Sequence, residues 1–371
     1  MNINKNKVTL IIDSLRGGGS QRVCVNIANG LLKSGWDVDL VVLNLNNADY
    51  FHFLSQKINL IQLNKNHTRY SALSLLKYIF QKKPKLFLVF NYEFTVLLIL
   101  LRNILRLKFK IISRNISTLS QKQKQLEQKT FWERNIVKLF IKKFYYKADH
   151  IINQCNGMQK DLITIYPKLK KNTNVIFNPI PNHILDYTNL HDLNKIKKKD
   201  YLLCIGSLKK SNAFNYAIEG FAGIVKKFPN LRLKIVGQGV LEHQLKEIAK
   251  NYGVADRVDF EGFQKDIIPF YLHARATVLT SMYEGFPNVL IESITLGTPV
   301  VSFDCPSGPS EIIKEGSNGY LVKYMDVDDL KNQLLAVLSN KFSIKEMSST
   351  IEKYHPNEIM KYYVELLNSF N

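Results

Sequence analysis

Two carboxylates eight residues apart, Glu284 and Glu292 in the segment EGFPNVLIE, carry the strongest chemical signal in this 371-residue sequence. A carboxylate oxygen accepts O–H hydrogen bonds, so a pair of them at one opening suits sugar hydroxyls. Pro287 fits the first helical position, which leaves Glu284 in the loop before the helix and Glu292 more than a turn deeper, facing the same opening. Amides at Gly285, Phe286 and the helix start suit a diphosphate, whereas Pro287 has no N–H to offer. The plainer alternatives are a solvated loop acid and a surface helix acid. The apolar NVLI between them argues against full exposure of Glu292. Nothing places a nucleophile and a general acid on opposite faces of a glycosidic bond, so this is not a glycosidase pair.

Glycine-rich turns form the second signal. Gly17, Gly18 and Gly19 follow the apolar run VTLIID and precede a helical pattern. Glycine admits close backbone approach, and a helix start offers N–H groups to phosphate. The glycines are adjacent and no GK[ST] follows, so this is neither a GxGxxG fingerprint nor a Walker loop, and a plain tight turn accounts for it equally well. Arg16 and Arg22 are candidate charge partners or simply solvated. In IVGQGVLEHQL, Gly237 and Gly239 repeat the strand–glycine–helix arrangement, although fold packing alone would ask for the same glycines.

These segments need a scaffold. Strand-like runs (VTLIID, VDLVVL, KINLIQL, LFLVF, KFKIIS, HIINQ, NVIFNPI) alternate with helical patterns, among them Val23, Ile27 and Leu31, stretches near 71–80 and 94–105, and a long basic helix over about 121–146. Residues 178–200, rich in Pro, Asn and Lys, lack a sustained apolar period and read as a linker. The alternation restarts with YLLCIG, LRLKIVG, VDFEG, ATVLTS, PVVSF and NGYLV, and a last helix is expected from about 352 to 370. The expected class is α/β, with two Rossmann-like parallel-sheet domains facing across a cleft. The expected boundaries are 1–185, 186–350 and a closing helical segment 351–371.

Composition sets the outer bounds. With 51 Lys and Arg against 31 Asp and Glu, the formal net charge is +20, which favours anionic partners without choosing among them. The four cysteines, Cys24, Cys155, Cys204 and Cys305, have no zinc-like spacing and suit a reducing compartment. No secretory leader is expected from MNINKNKVTLIID, and the apolar run FTVLLILL falls far short of the ~20 residues of a spanning helix.

With these residues in view, the chain resembles the family 4 glycosyltransferases of the GT-B architecture, most closely those of bacterial polysaccharide and lipopolysaccharide biosynthesis. The resemblance covers nearly the whole chain and is strongest from Tyr201 to Leu338. It rests on E-x7-E (Glu284, Glu292), the loop GGGSQRV, the turn VGQG and the segment GFQKDIIPFY. It implies that Glu292 holds the ribose hydroxyls of a nucleotide-sugar and that Glu284 contacts the donor sugar. The amides of Phe286, Asn288, Val289 and Leu290 would lie near sugar or diphosphate. Gly18 and Gly19 would border the donor phosphate and reaction centre, Gly237 and Gly239 would form the nucleotide turn, and Phe263 and Asp266 would meet the base.

Two departures qualify the match. Where the family commonly writes GRLxxxKG, this chain has GSLKKSNA, so Ser207 and Asn212 stand at the basic positions and Lys209 or Lys210 would have to reach the diphosphate instead. In KIISRNIST, similar to an SERN segment of relatives, Ser113 replaces the acid, and Arg114 and Asn115 become candidate acceptor or donor contacts; a polar loop at a strand end is the plainer alternative. The implied reaction is retaining transfer of a hexose or N-acetylhexosamine, with UDP-sugar as the expected donor, to a glycan or polyprenyl-diphosphate-linked glycan. No DxD-like metal pair sits in the required place in the donor half, so no metal and no other cofactor is expected. LLRNILRLKFK and NIVKLFIKKFYYK interleave cations with apolar residues, which suits peripheral contact with an anionic membrane at the cytoplasmic face of a bacterial inner membrane. A nucleic-acid binder lacks any recognisable module here. An epimerase lacks its fingerprint. A weak or inactive sugar-nucleotide-binding subunit is the alternative that Ser207 and Asn212 support.

Overall fold

The computed structural model describes residues 6–127 and 131–370, without the side chains of Trp132 and Glu133. The chain divides into two compact units, one formed by Met1–Pro179 with Pro356–Asn371 and the other by Ile180–His355.

In the first unit the strands are β1 (Lys7–Ile11), β2 (Asp37–Val42), β3 (Asn59–Gln62), β4 (Leu86–Val89), β5 (Lys110–Arg114), β6 (His150–Asn153) and β7 (Thr173–Val175). They form one sheet in the order β3-β2-β1-β4-β5-β6-β7, and every pairing is parallel. Both faces of a parallel sheet are covered, so its strands read as near-continuous apolar runs, as LFLV does here. The crossovers are α1 (Gly19–Lys33), α2 (Ala72–Lys82), α3 (Tyr92–Ile104), α4 (Leu119–Glu127), α5 (Lys138–Phe144) and α6 (Asn156–Ile165). Asn91 starts α3 by accepting the amides of Glu93 and Phe94. The long basic helix expected over 121–146 is present as two pieces, α4 and α5, the second preceded by a π-helical turn at Trp132–Val137. Part of that expectation, residues 128–130, lies outside the described residues.

In the second unit α7 (Asn182–Leu190) is followed by β8 (Tyr201–Ile205), α8 (Phe214–Ile224), β9 (Arg232–Val236), α9 (Glu242–Asn251), β10 (Val258–Gly262), α10 (Ile268–His273), β11 (Ala276–Leu279), α11 (Asn288–Thr295), β12 (Val300–Phe303), α12 (Pro309–Ile312), β13 (Gly319–Val322), α13 (Val327–Ser339) and α14 (Ile344–Ser349). Its sheet runs β10-β9-β8-β11-β12-β13, again parallel throughout. The 178–200 stretch, read as a linker, contains α7. Its apolar content is too short to show a period, but Ile184 is buried and the helix packs on α11. The expected border at 185 therefore falls inside this helix.

The last helix, α15 (Pro356–Asn368), belongs to the first unit. Ile359, Met360, Tyr363 and Leu367 join the core that contains Val23, Ile27, Ala28 and Leu31 of α1. Each such aliphatic side chain contributes about 1.5–3 kcal/mol on burial. Gly30 permits the approach, because a Cβ there would come within 2.6 Å of the Met360 sulfur.

Candidate functional site

In the second unit the C-terminal ends of β8, β9, β10 and β11 bring four loops to one rim, beside the point where the strand order reverses between β8 and β11. The loops are bonded to each other through their backbones. Gly206 donates its amide to the Val236 carbonyl at 3.0 Å, Leu208 to Gln238 at 3.0 Å, Gly237 to Gly262 at 2.8 Å and Met282 to Ser211 at 2.8 Å. Gly237 has φ +142°, and a Cβ there would fall 2.0 Å from the Gly206 carbonyl oxygen. A Cβ at Gly239 would meet the Leu208 carbonyl oxygen at 2.5 Å. Packing of loop on loop thus fully accounts for both glycines.

Glu284 sits half-buried in the loop after β11. Ser281 Oγ donates to its Oε1 at 2.7 Å, and its own amide donates to the Pro306 carbonyl at 2.8 Å. Burial holds its carboxyl above the ordinary carboxylate range, while the Ser281 hydroxyl and the charge of Lys209 pull the other way. Lys209 therefore stands on the same rim as Glu284. Ser207, Lys209 and Lys210 are exposed, and Asn212 Nδ2 donates to the Ser207 carbonyl at 2.9 Å, bracing the turn.

Glu292 lies inside α11, as its spacing from Pro287 requires, and is 1% exposed. Tyr271, from α10, donates its hydroxyl to Glu292 Oε2 at 3.1 Å. Sequence reasoning missed Tyr271, although it closes the segment GFQKDIIPFY that had already been singled out. One neighbour departs from expectation. The Leu290 amide is not open to a diphosphate, because it donates to the Pro287 carbonyl at 3.0 Å in the first helical turn. Phe286 is buried with its ring edge-on to Tyr354 at 5.5 Å, a packing contact. Asn288 and Val289 are half-buried at the helix start. Phe263 is 56% exposed. Asp266 accepts the Ile268 amide at 3.1 Å and so starts α10.

In the first unit the Gly17 amide donates to Asp49 Oδ2 at 2.7 Å. Gly18 is extended, with φ 177°, a conformation open to any residue, and a Cβ there would meet only the movable end of Gln21. Backbone strain therefore does not demand a glycine at 18. Asp13, not singled out from the sequence, lies just past β1. Its Oδ1 accepts the Ser14 amide at 2.9 Å and Gln21 Nε2 at 3.5 Å, and burial raises its pKa.

Arg114, a candidate acceptor or donor contact at a strand end, has a side chain that is 1% exposed, with Nε donating to Tyr363 Oη at 2.7 Å and Nη2 to Asn178 Oδ1. Its neighbour Asn115 is also buried, donating to Asn153 Oδ1 at 2.7 Å. Large aromatic and polar neighbours enclose both residues, which local sequence could not reveal.

Among the described residues no three His, Cys, Asp or Glu side chains gather as a metal-binding group, and no helix is long and apolar enough to cross a membrane. The four cysteines are buried and unpaired with each other.

Residues 187–357 match the family model described as glycosyl transferases group 1, and residues 17–182 match the one described as glycosyltransferase family 4. The amylovoran biosynthesis glycosyltransferase AmsD of Erwinia amylovora is 25% identical, over 98% of this chain and 99% of its own. The N-acetylgalactosamine-N,N'-diacetylbacillosaminyl-diphospho-undecaprenol 4-alpha-N-acetylgalactosaminyltransferase of Campylobacter jejuni is 24% identical, over 90% of each chain. Among solved structures, Anabaena HepE in complex with UDP-glucose superposes with a TM-score of 0.75 at 17% identity, covering 98% of this chain and 99% of that one.

Proposed function

The chain belongs to the family 4 glycosyltransferases of GT-B architecture, and from that premise we propose that it moves a hexose or N-acetylhexosamine from a UDP-sugar to a hydroxyl of a glycan or polyprenyl-diphosphate-linked glycan, with retention and hence an α-linkage. The observation that carries this reading is Glu292, a carboxylate enclosed within α11 and hydrogen-bonded to Tyr271, eight residues after the rim acid Glu284. A buried carboxylate is costly unless hydroxyl or amide donors satisfy it, and ribose hydroxyls are such donors. The biosynthetic role named for the Erwinia relative and the diphospho-undecaprenol acceptor named for the Campylobacter one support a glycan product and a lipid-linked acceptor. The UDP-glucose complex of HepE supports the donor class.

In this reading Glu292 orients the ribose and Glu284 holds the donor sugar. The departing diphosphate is stabilised by amides at the start of α11 and by Lys209, with no metal. A departing anion needs donors already in place, because reorganising water at the moment of transfer would forfeit most of their effect. Lys209 serves here since Ser207 carries no charge and the Asn212 side chain is engaged in bracing the turn. The acceptor proton passes to the departing phosphate on the same face.

Residues of the first unit support membrane contact. Phe131, Arg134, Leu139, Lys142, Lys143, Tyr146 and Lys147 are all exposed along one helical stretch. Three apolar groups among four cations suit the interface of an anionic bilayer, where rings and chains enter the headgroup boundary and cations meet phosphate. The proposed location is therefore peripheral, at the cytoplasmic face.

A weakly active subunit is the second reading, favoured by the Asn212-to-Ser207 brace where relatives carry basic residues. Nucleotide-sugars screened for protection against heat, followed by an assay of UDP release with acceptor, test both readings. Failure of every UDP-sugar to protect would reject the donor assignment, and protection without turnover would select the second reading.

A further inference from the structure

Arg114 ends β5 as one of the largest fully buried side chains in the protein. No carboxylate pairs with it among the described residues. Its guanidinium donates to Tyr363 Oη at 2.7 Å through Nε and to Asn178 Oδ1 through Nη2, and its carbon lies 5.5 Å from the centre of the Phe90 ring. Nη1 is buried and has no hydrogen-bond partner among the described residues. An enclosed cation with no carboxylate beside it is a poor device for stability, and an apolar side chain of similar volume would serve a core better.

The two acceptors explain its retention. Asn178 stands one residue before Pro179, where the chain leaves the first unit. Tyr363 stands on α15, which starts at Pro356, where the chain returns. The two residues are far apart in sequence, and one planar group grips both. Arginine suits this task because its fork presents donors in fixed directions, which a lysine cannot do. Within the second unit the same two segments are joined again, the Ile180 amide donating to the Tyr354 carbonyl at 2.9 Å.

We propose that Arg114 ties the departing segment 176–180 to the returning helix α15, so that the two chain crossings hold or release together. The inference does not depend on which nucleotide-sugar binds.

Amide hydrogen exchange on the full chain tests it. Tyr363→Phe keeps the ring and removes only the acceptor. The expected result is exchange about tenfold faster both in peptides covering 356–368 and in those covering 176–180, with β4 (86–89) unchanged. Asn178→Leu, which also removes the donor to Gln154 Oε1 at 3.1 Å, is expected to accelerate the same two segments. Arg114→Met should release both at once, and the milder Tyr363→Phe decides the matter if Arg114→Met does not fold. Acceleration confined to the substituted segment, acceleration that extends to 86–89, or no change in either segment would each overturn the proposal.

Discussion

The hydroxyl of Tyr271 meets the carboxylate of Glu292 across 3.1 Å in the interior of the second unit. Tyr271→Phe keeps the ring and deletes that donor. The expected loss is about 1–3 kcal/mol of stability, read by urea unfolding at neutral pH. Glu292→Ala should in addition abolish stabilisation by UDP-sugar, which in the parent reaches about 2.7 kcal/mol at a hundredfold excess over Kd. Equal protection of parent and variant would remove Glu292 from the binding site.

Gly237→Ala confronts two obstacles, a φ of +142° and a Cβ only 2.0 Å from a backbone carbonyl oxygen. Backbone has little room to yield, so a loss of about 3 kcal/mol or more is expected. A urea midpoint within error of the parent would show that the loops after β8 and β9 are not pinned together as described.

Lys209→Ala should weaken UDP binding about tenfold at low salt, with the difference shrinking as ionic strength rises. Lys209→Arg should retain affinity. Titration calorimetry across a salt series checks this, and an affinity indifferent to the charge at 209 would transfer the diphosphate to other groups.

Burial holds the Glu284 carboxyl above its ordinary value of 4.5. The folded protein then binds this proton more tightly than the unfolded chain does. Its contribution to stability is greatest below the unfolded value and is lost as pH rises through the folded value. Glu284→Gln is therefore expected to be more stable than the parent at neutral pH, with the advantage vanishing below the unfolded pKa. Paired urea titrations at the two pH values measure it; a constant difference would assign the effect to packing rather than to charge.

The stripe carrying Phe131, Leu139 and Tyr146 should mediate binding to phosphatidylglycerol-containing vesicles. Replacing the three by Ser should reduce sedimentation with such vesicles at least about tenfold, and neutral vesicles should bind neither protein. Unaltered sedimentation would place lipid contact elsewhere.

Much of the fold was legible in the sequence because a doubly covered parallel strand must be apolar and each crossover helix needs one apolar stripe. LFLV and ATVL declare themselves in this way. The placement of Glu284 before a helix and Glu292 within it was equally legible, since Pro287 fixes where α11 begins. Helix α7 was not, because Ile184 and Leu185 alone make no period and its stability comes from packing on α11.

What sequence determined by itself was local: alternation of strand and helix, the spacing of two acids, and glycines at strand ends. Only the tertiary structure decided which partner each polar group received. It set Tyr271 against Glu292, placed the Gly206 carbonyl against Gly237, and joined Arg114 to Asn178 and Tyr363. Hydrogen bonds and steric contacts of this kind join residues tens to hundreds of positions apart, and neither periodicity nor spacing encodes a distance between segments that meet only when the sheets and helices pack.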